Sequence, residues 1–392
     1  MVKYDFQKID YQLHIDSGYY NILDIEGFSR MMKDPSYCYK FYWLEAIVQL
    51  ISEDKKEATY NEIINEMIAN AWYSVLEFHV HLSGIWGDGE IKDSLEKAVI
   101  KLQKLSDLPS NASKVEIKNK IAEFDKELHG EKMVLTQNVP YKALSGFANR
   151  GSEFIDLNSS AGRMMAYYNR INELSNPLPY TFGEQKGLER KIIFHESWIK
   201  MIQDNMVSIL GWIQYEKVKW LQNNNPEVPG LVYKLAPLDD KMRKLGHVRK
   251  LWAAILESTN IVDVFKDEPI RAEAYDVDHF IPWSFVMNDE LWNLMPMDSS
   301  LNSSKSNRLP QWEKFFIRFA QNQYMMYELV HEKGRIRKLY ESCYRDNLHS
   351  IWASQELYRK GNSKEEFYRI LERNMRPVYD SAKRQGYEVW MF

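Results

Sequence analysis

Asp278 and His279 stand side by side in the stretch YDVDHFIPWSFVMNDELWNLMPMDSSLNSSKSNRLP, residues 275–310 of a 392-residue chain. A carboxylate next to an imidazole can divide two tasks, holding a cation and moving a proton. Asp278 and the amide oxygen of Asn302 are hard oxygen donors, suited to Mg²⁺ or Mn²⁺ and unsuited to zinc. Two protein ligands leave positions for water and phosphate oxygens, the usual setting of Mg²⁺ in phosphoryl transfer. His279, free of the metal, can take a proton from water near neutral pH. The chemistry these types allow is metal-assisted phosphodiester hydrolysis.

Such residues need a scaffold that makes them converge. Asp276-Val277-Asp278-His279 alternates like a short strand, and Pro282 limits how far it can pair. A regular strand puts Asp278 and His279 on opposite faces, so they meet only where the strand bends or ends. Asn288-Asp289 reads as a loop, and Leu294-Met295-Pro296-Met297 as a second short apolar run. Asp298 or a neighbouring serine can cap a short helix carrying Asn302, Lys305 and Asn307. The tryptophans around the motif, Trp283, Trp292 and Trp312, read as packing groups rather than base-stacking ones.

The series Asp-Val-Asp-His-x-x-Pro, an Asn 14 residues after the His, a second Asn nine later and then Lys-Ser-Asn closely resembles the HNH endonucleases. Among them it is most similar to the HNH domain of the RNA-guided CRISPR effector nucleases. The resemblance implies that Asp278 and Asn302 hold the metal, that His279 is the general base, and that Asn293 fixes the loop. It also puts Lys305 near the scissile phosphate. Asn302 stands where many family members have His, a change the family tolerates.

The rest of the chain bounds these expectations. Hydrophobic residues at 45% and charged ones at 27% are those of a globular protein. The net charge of −4 does not advertise nucleic-acid binding, so any polyanion site is a local patch. The acid-free run KMRKLGHVRK supplies Lys241, Arg243, Lys244, Arg249 and Lys250. It is either a solvated face or, placed just upstream of the motif, a set of phosphate contacts; Arg308 adds to the same surface. Lys333, Arg335, Arg337 and Lys338 read as helix surface. Cys38 and Cys343 are the only cysteines, which excludes the cysteine-ligated zinc site of some HNH proteins and fits a reducing cytoplasm. The first residues are too polar for a signal peptide, and no apolar run reaches the roughly 18 residues of a membrane span.

Periodicity predicts helices over 37–53, 61–82, 94–107 and 113–128. The last opens on the capping box Ser113-x-x-Glu116 and stops at Gly130. Glu77, His79 and His81 share a face only on a strand; on a helix they diverge, so packing outweighs metal binding. Residues 139–188 are rich in Gly, Asn, Ser and Pro yet aromatic enough to fold. Ile199, Ile202, Met206, Ile209 and Ile213 mark a helix over 189–222. Beyond Pro310 the chain reads as helical again, with Ser363-x-x-Glu366 capping a last helix interrupted at Pro377.

The expected fold is mainly α: a helical recognition or regulatory region over 1–225 with a sub-boundary near 177, a small ββα-metal HNH nuclease core over 226–315, and a helical C-terminal segment over 316–392 packed on it. The break NNNPEVPG at 223–230 is the best boundary. The expected function is a cytoplasmic, metal-dependent HNH endonuclease acting on DNA. Mg²⁺ or Mn²⁺ is its cofactor, a homodimer or a partner defence protein its assembly, and anti-phage or restriction-like defence its setting. The alternatives are a non-catalytic adaptor with an inactive HNH fold and an RNA- or structure-directed nuclease.

Overall fold

The computed structural model describes residues 13–33, 35, 37–84, 91–150, 153–174, 177–235 and 243–392. The chain divides into two compact units, Met1–Pro226 and Glu227–Phe392, and the architecture is mainly helical.

In the first unit, helices Tyr39–Ser52 and Tyr60–Leu76 pack on each other, and Ser94–Ser106 and Lys114–Glu123 pack on the second of them. Capping boxes start two of these helices. Thr59 and Glu62, and likewise Ser113 and Glu116, satisfy each other's backbone N–H groups. Three differences from the periodic reading have identifiable physical causes. The capped helix from Ser113 ends at Glu123, and Gly130 lies in the first turn of a separate helix, His129–Thr136, where a missing side chain costs little. The 189–222 segment is not one helix. The β-branched run Lys191–Phe194 is the central strand of a three-stranded antiparallel sheet, between Glu57–Thr59 and Tyr180–Phe182. The helical part then breaks at buried Asn205, whose amide donates to the Met201 carbonyl and accepts from the Asp16 amide. A side chain that competes for backbone partners separates Glu196–Asp204 from Met206–Asn224.

The second unit is built round an antiparallel pair, Tyr275–His279 with Leu294–Asp298, followed at once by the helix Ser299–Lys305. Helices Gly246–Leu256, Trp312–Glu332, Gly334–Asn347 and Lys364–Arg384 enclose this motif in one hydrophobic core. Phe280, the residue after His279, is fully buried; its ring lies 4.6 Å from Phe319 and edge-on to Trp312 and Phe316. The end of the strand is thereby tied to the helix Trp312–Glu332. Trp292 packs on Trp352 and Trp312 stacks on Phe316, so both are core groups, while half-buried Trp283 lies under the Arg243 guanidinium. The last helix runs unbroken through Pro377, with Met375, Tyr379 and Ala382 buried on either side. Core packing there outweighs the lost hydrogen bond of the proline.

Candidate active site

The two motif strands pair Asp278 with Met295 and His279 with Leu294. Alternation turns Val277 and His279 into the core and leaves Asp276 and Asp278 half-buried on the other face. His279 is the last residue of its strand, and that is where the two faces meet: its Nδ1 lies 4.0 Å from Asp278 Oδ1. Two groups hold the strand end. The Phe280 amide donates to the Asn293 carbonyl at 2.8 Å. The Asn293 side chain, fully buried, brackets Ile281, accepting from its amide and donating to its carbonyl, both at 2.8 Å.

The imidazole of His279 is fully buried, and its Nε2 lies 3.1 Å from the Asn288 carbonyl. A carbonyl can only accept, so Nε2 carries the proton and Nδ1 is the basic nitrogen. Nδ1 has no hydrogen-bond partner among the described residues. An unpartnered basic atom buried beside a carboxylate is poised to take a proton from something that enters the site. On the Nε2 side, Asp289 Oδ1 also stands at 3.1 Å.

Asp278 accepts at Oδ2 from the buried Lys305 ammonium at 2.8 Å. Burial acts to raise its carboxyl pKa, but the Lys305 charge, His279 and their hydrogen bonds prevail and hold it below the ordinary range. Asp289 shows the same balance: burial raises it, and the His279 contact, the Lys244 amide and Arg243 bring it down. Asn302 sits one turn before Lys305 and donates from Nδ2 to Asp276 Oδ2 at 3.3 Å. The helix that carries both starts at Asp298, whose side chain accepts from the Ser300 amide at 2.8 Å and pairs with Lys266 at 2.9 Å. The Ser300 hydroxyl bond, Lys266 and the Ser300 amide lower the Asp298 carboxyl to about 2.

Asp278, His279 and Lys305 are thus in contact, and Asn302 joins their strand through Asp276. Asn293 touches backbone instead. Lys241 lies outside the described residues. Arg243 and Lys244 are exposed beside Asp289: Arg243 Nε is 3.9 Å from Asp289 Oδ1, and the Lys244 backbone amide donates to Asp289 Oδ2 at 2.8 Å. Lys244 also pairs with Asp346 at 3.5 Å. Arg249 and Lys250 are exposed on Gly246–Leu256. The Arg308 guanidinium bonds the Ser304 and Lys305 carbonyls and so closes the end of the motif helix. Glu77, His79 and His81 do not converge. Glu77 accepts from Ser110, His81 pairs with Glu96 at 2.7 Å, and His79 has a left-handed backbone, φ 51°. Among the described residues, no three His, Cys, Asp or Glu side chains form a metal cluster. Asp276 and Asp289 are the site groups the sequence did not single out; Asp289 looked like any polar loop residue.

A strand–strand–helix motif carrying a buried base beside a carboxylate is the framework of a ββα nuclease site. Residues 263–311 match the family model of the HNH endonucleases, so this part of the chain is an HNH endonuclease domain, which points to nuclease function and nucleic-acid binding in general. No curated protein and no solved structure matches the chain. HNH nucleases generally use divalent metals. Among the described residues, no helix is long and apolar enough to cross a membrane.

Proposed function

We propose that the second unit is a divalent-metal-dependent endonuclease that hydrolyses DNA, with His279 as general base. The observation that carries this is the His279 ring. One nitrogen is committed to the Asn288 carbonyl, and the other is buried beside Asp278 with no hydrogen-bond partner among the described residues. Nδ1 takes the proton of a water that attacks phosphorus in line with the departing 3′ oxygen. Lys305, already against Asp278, places a positive charge where phosphate oxygens gather.

The donor set fits Mg²⁺ or Mn²⁺. Asp278 supplies a carboxylate kept ionised, and Asn302, with its NH₂ turned to Asp276, keeps its amide oxygen for a cation. Both would hold the ion, which when bound stabilises charge on the phosphate undergoing transfer. Arg249 and Lys250, exposed on the helix Gly246–Leu256, are cations of the upstream run that can meet backbone phosphates. One such site cuts one strand, so a double-strand break needs a homodimer, two sequential nicks or a partner protein. The role in anti-phage or restriction-like defence rests on the resemblance to the HNH endonucleases alone.

Calorimetric titration with Mn²⁺ tests the ligand assignment. Wild type should bind one ion, Asp278→Ala should lose it, and Asn302→Ala should bind weakly and recover part of its cleavage at high Mn²⁺. Equal binding by all three proteins would remove the assignment.

A further inference from the structure

The far side of the His279 ring holds a group that the nuclease reading does not use. Asp289 is buried, its side chain 4% exposed; Oδ2 is hydrogen-bonded, and Oδ1 makes no hydrogen bond among the described residues. Oδ2 accepts the Lys244 amide at 2.8 Å, and Oδ1 faces the His279 Nε2 at 3.1 Å. Arg243 Nε lies 3.9 Å from Oδ1. Asn347 fastens the same loop from outside, donating to the Asp289 carbonyl at 2.9 Å and the Lys244 carbonyl at 2.7 Å. A carboxylate is therefore fixed against the protonated nitrogen of the base by groups that are themselves anchored.

We propose that Asp289 is a positioning residue for His279: its carboxylate keeps the proton on Nε2, aims Nδ1 at the Asp278 side of the site, and offsets the charge that the ring gains when Nδ1 accepts the proton of water. This rests on the nuclease reading for its catalytic consequence, but not for the placement of the ring proton. The Asn288 carbonyl alone would orient the ring. The added carboxylate contributes a full negative charge on the buried side of the ring, where it acts strongly on the imidazole. The proton balance is simple. Water gives its proton to Nδ1, the hydroxide oxygen bonds to phosphorus, and the 3′ oxygen departs with the bonding pair. Nε2–H stays in place throughout, and Asp289 is not protonated.

The substitution Asp289→Asn separates this role from a structural one. The Asn oxygen can replace Oδ2 as acceptor for the Lys244 amide, so the loop stays tied. Its NH₂ must then face Nε2, two donors opposed, which pushes the ring proton towards Nδ1. Two measurements follow on the full chain. Nitrogen-15 spectra of labelled histidine at mildly alkaline pH, with His279 identified by its absence from His279→Ala, should show Nε2–H in wild type and a shift to Nδ1–H in Asp289→Asn. Plasmid cleavage by Asp289→Asn should show kcat reduced by roughly a hundredfold with KM unchanged. Asp289→Ala should be similarly slow. An unchanged tautomer in Asp289→Asn, or cleavage at the wild-type rate, overturns the proposal. If wild type itself cleaves nothing with Mg²⁺ or Mn²⁺, the nuclease reading fails, and the spectra alone decide where Asp289 holds the proton.

Discussion

Replacing Asn293 by alanine removes a clamp without touching a reacting group. The side chain is fully buried and makes both hydrogen bonds of the Ile281 peptide, each at 2.8 Å. Ile281 is itself fully buried, so truncation leaves one N–H and one C=O without partners in the core. Each such group costs about 1–3 kcal/mol, which puts the loss at roughly 2–6 kcal/mol. That is a large share of the about 5–15 kcal/mol that holds a domain together. With a urea dependence of about 2 kcal/mol per molar, the unfolding midpoint should fall by roughly 1–3 M. Pulse proteolysis in a urea series, following peptides from residues 227–392, measures it. Asn293→Asp should lose at least as much, because a carboxylate cannot donate to the Ile281 carbonyl and brings a charge into the core. A loss below about 0.5 kcal/mol, the level of an ordinary surface change, would refute the clamp.

Other perturbations read other parts of the site. Lys305→Met leaves the Asp278 carboxylate without its 2.8 Å partner and should destabilise the metal-free protein by about 3 kcal/mol, the low end for a broken buried pair because Asp278 keeps 16% exposure; no loss in urea unfolding would mean the pair does not form. Asp298→Ala should cost about 1 kcal/mol as a lost helix cap. Since the Asp298 carboxyl is lowered to about 2 when folded, its contribution is complete above the ordinary carboxylate value near 4 and is lost as pH falls towards about 2. The difference between wild type and Asp298→Ala should shrink over that window, and a constant difference would contradict it. Burial pushes the Cys343 thiol up to about 12 and raises Cys38 well above its usual value, so neither should react with iodoacetamide until the chain is unfolded; rapid native labelling would contradict the packing.

The site was legible in the sequence to the extent that local rules decide it. Two short strands, the Asp298 cap and the helix bearing Asn302 and Lys305 follow from alternation, proline placement and capping chemistry, all within 36 residues. The capping box at Ser113 is of the same kind. What the sequence did not show depends on contacts between distant residues. The strand Lys191–Phe194 carries apolar residues that suit a helix as well as a sheet, and its partners lie far off at Glu57–Thr59 and nearby at Tyr180–Phe182. Asn205 gave no sign that its amide would take the Met201 carbonyl, nor Pro377 that the core would carry a helix across it. Asp289 was indistinguishable from other loop acids, because what sets it apart is the position of the His279 ring. The basic run could not be divided by reading either. Arg243, Lys244, Arg249 and Lys250 are all exposed; what the fold adds is that Arg243 and the Lys244 backbone amide lie beside Asp289, while the Lys244 side chain pairs with Asp346.

The central claim is that His279 is the base of a metal-dependent phosphodiesterase. Supercoiled plasmid incubated with Mg²⁺ or Mn²⁺ and either wild-type protein or His279→Ala tests it most directly, with Mn²⁺ binding measured on both. The account predicts nicked or linear DNA with wild type only, equal metal binding by the two proteins, and no product when the metal is chelated. Cleavage by His279→Ala at the wild-type rate would contradict it.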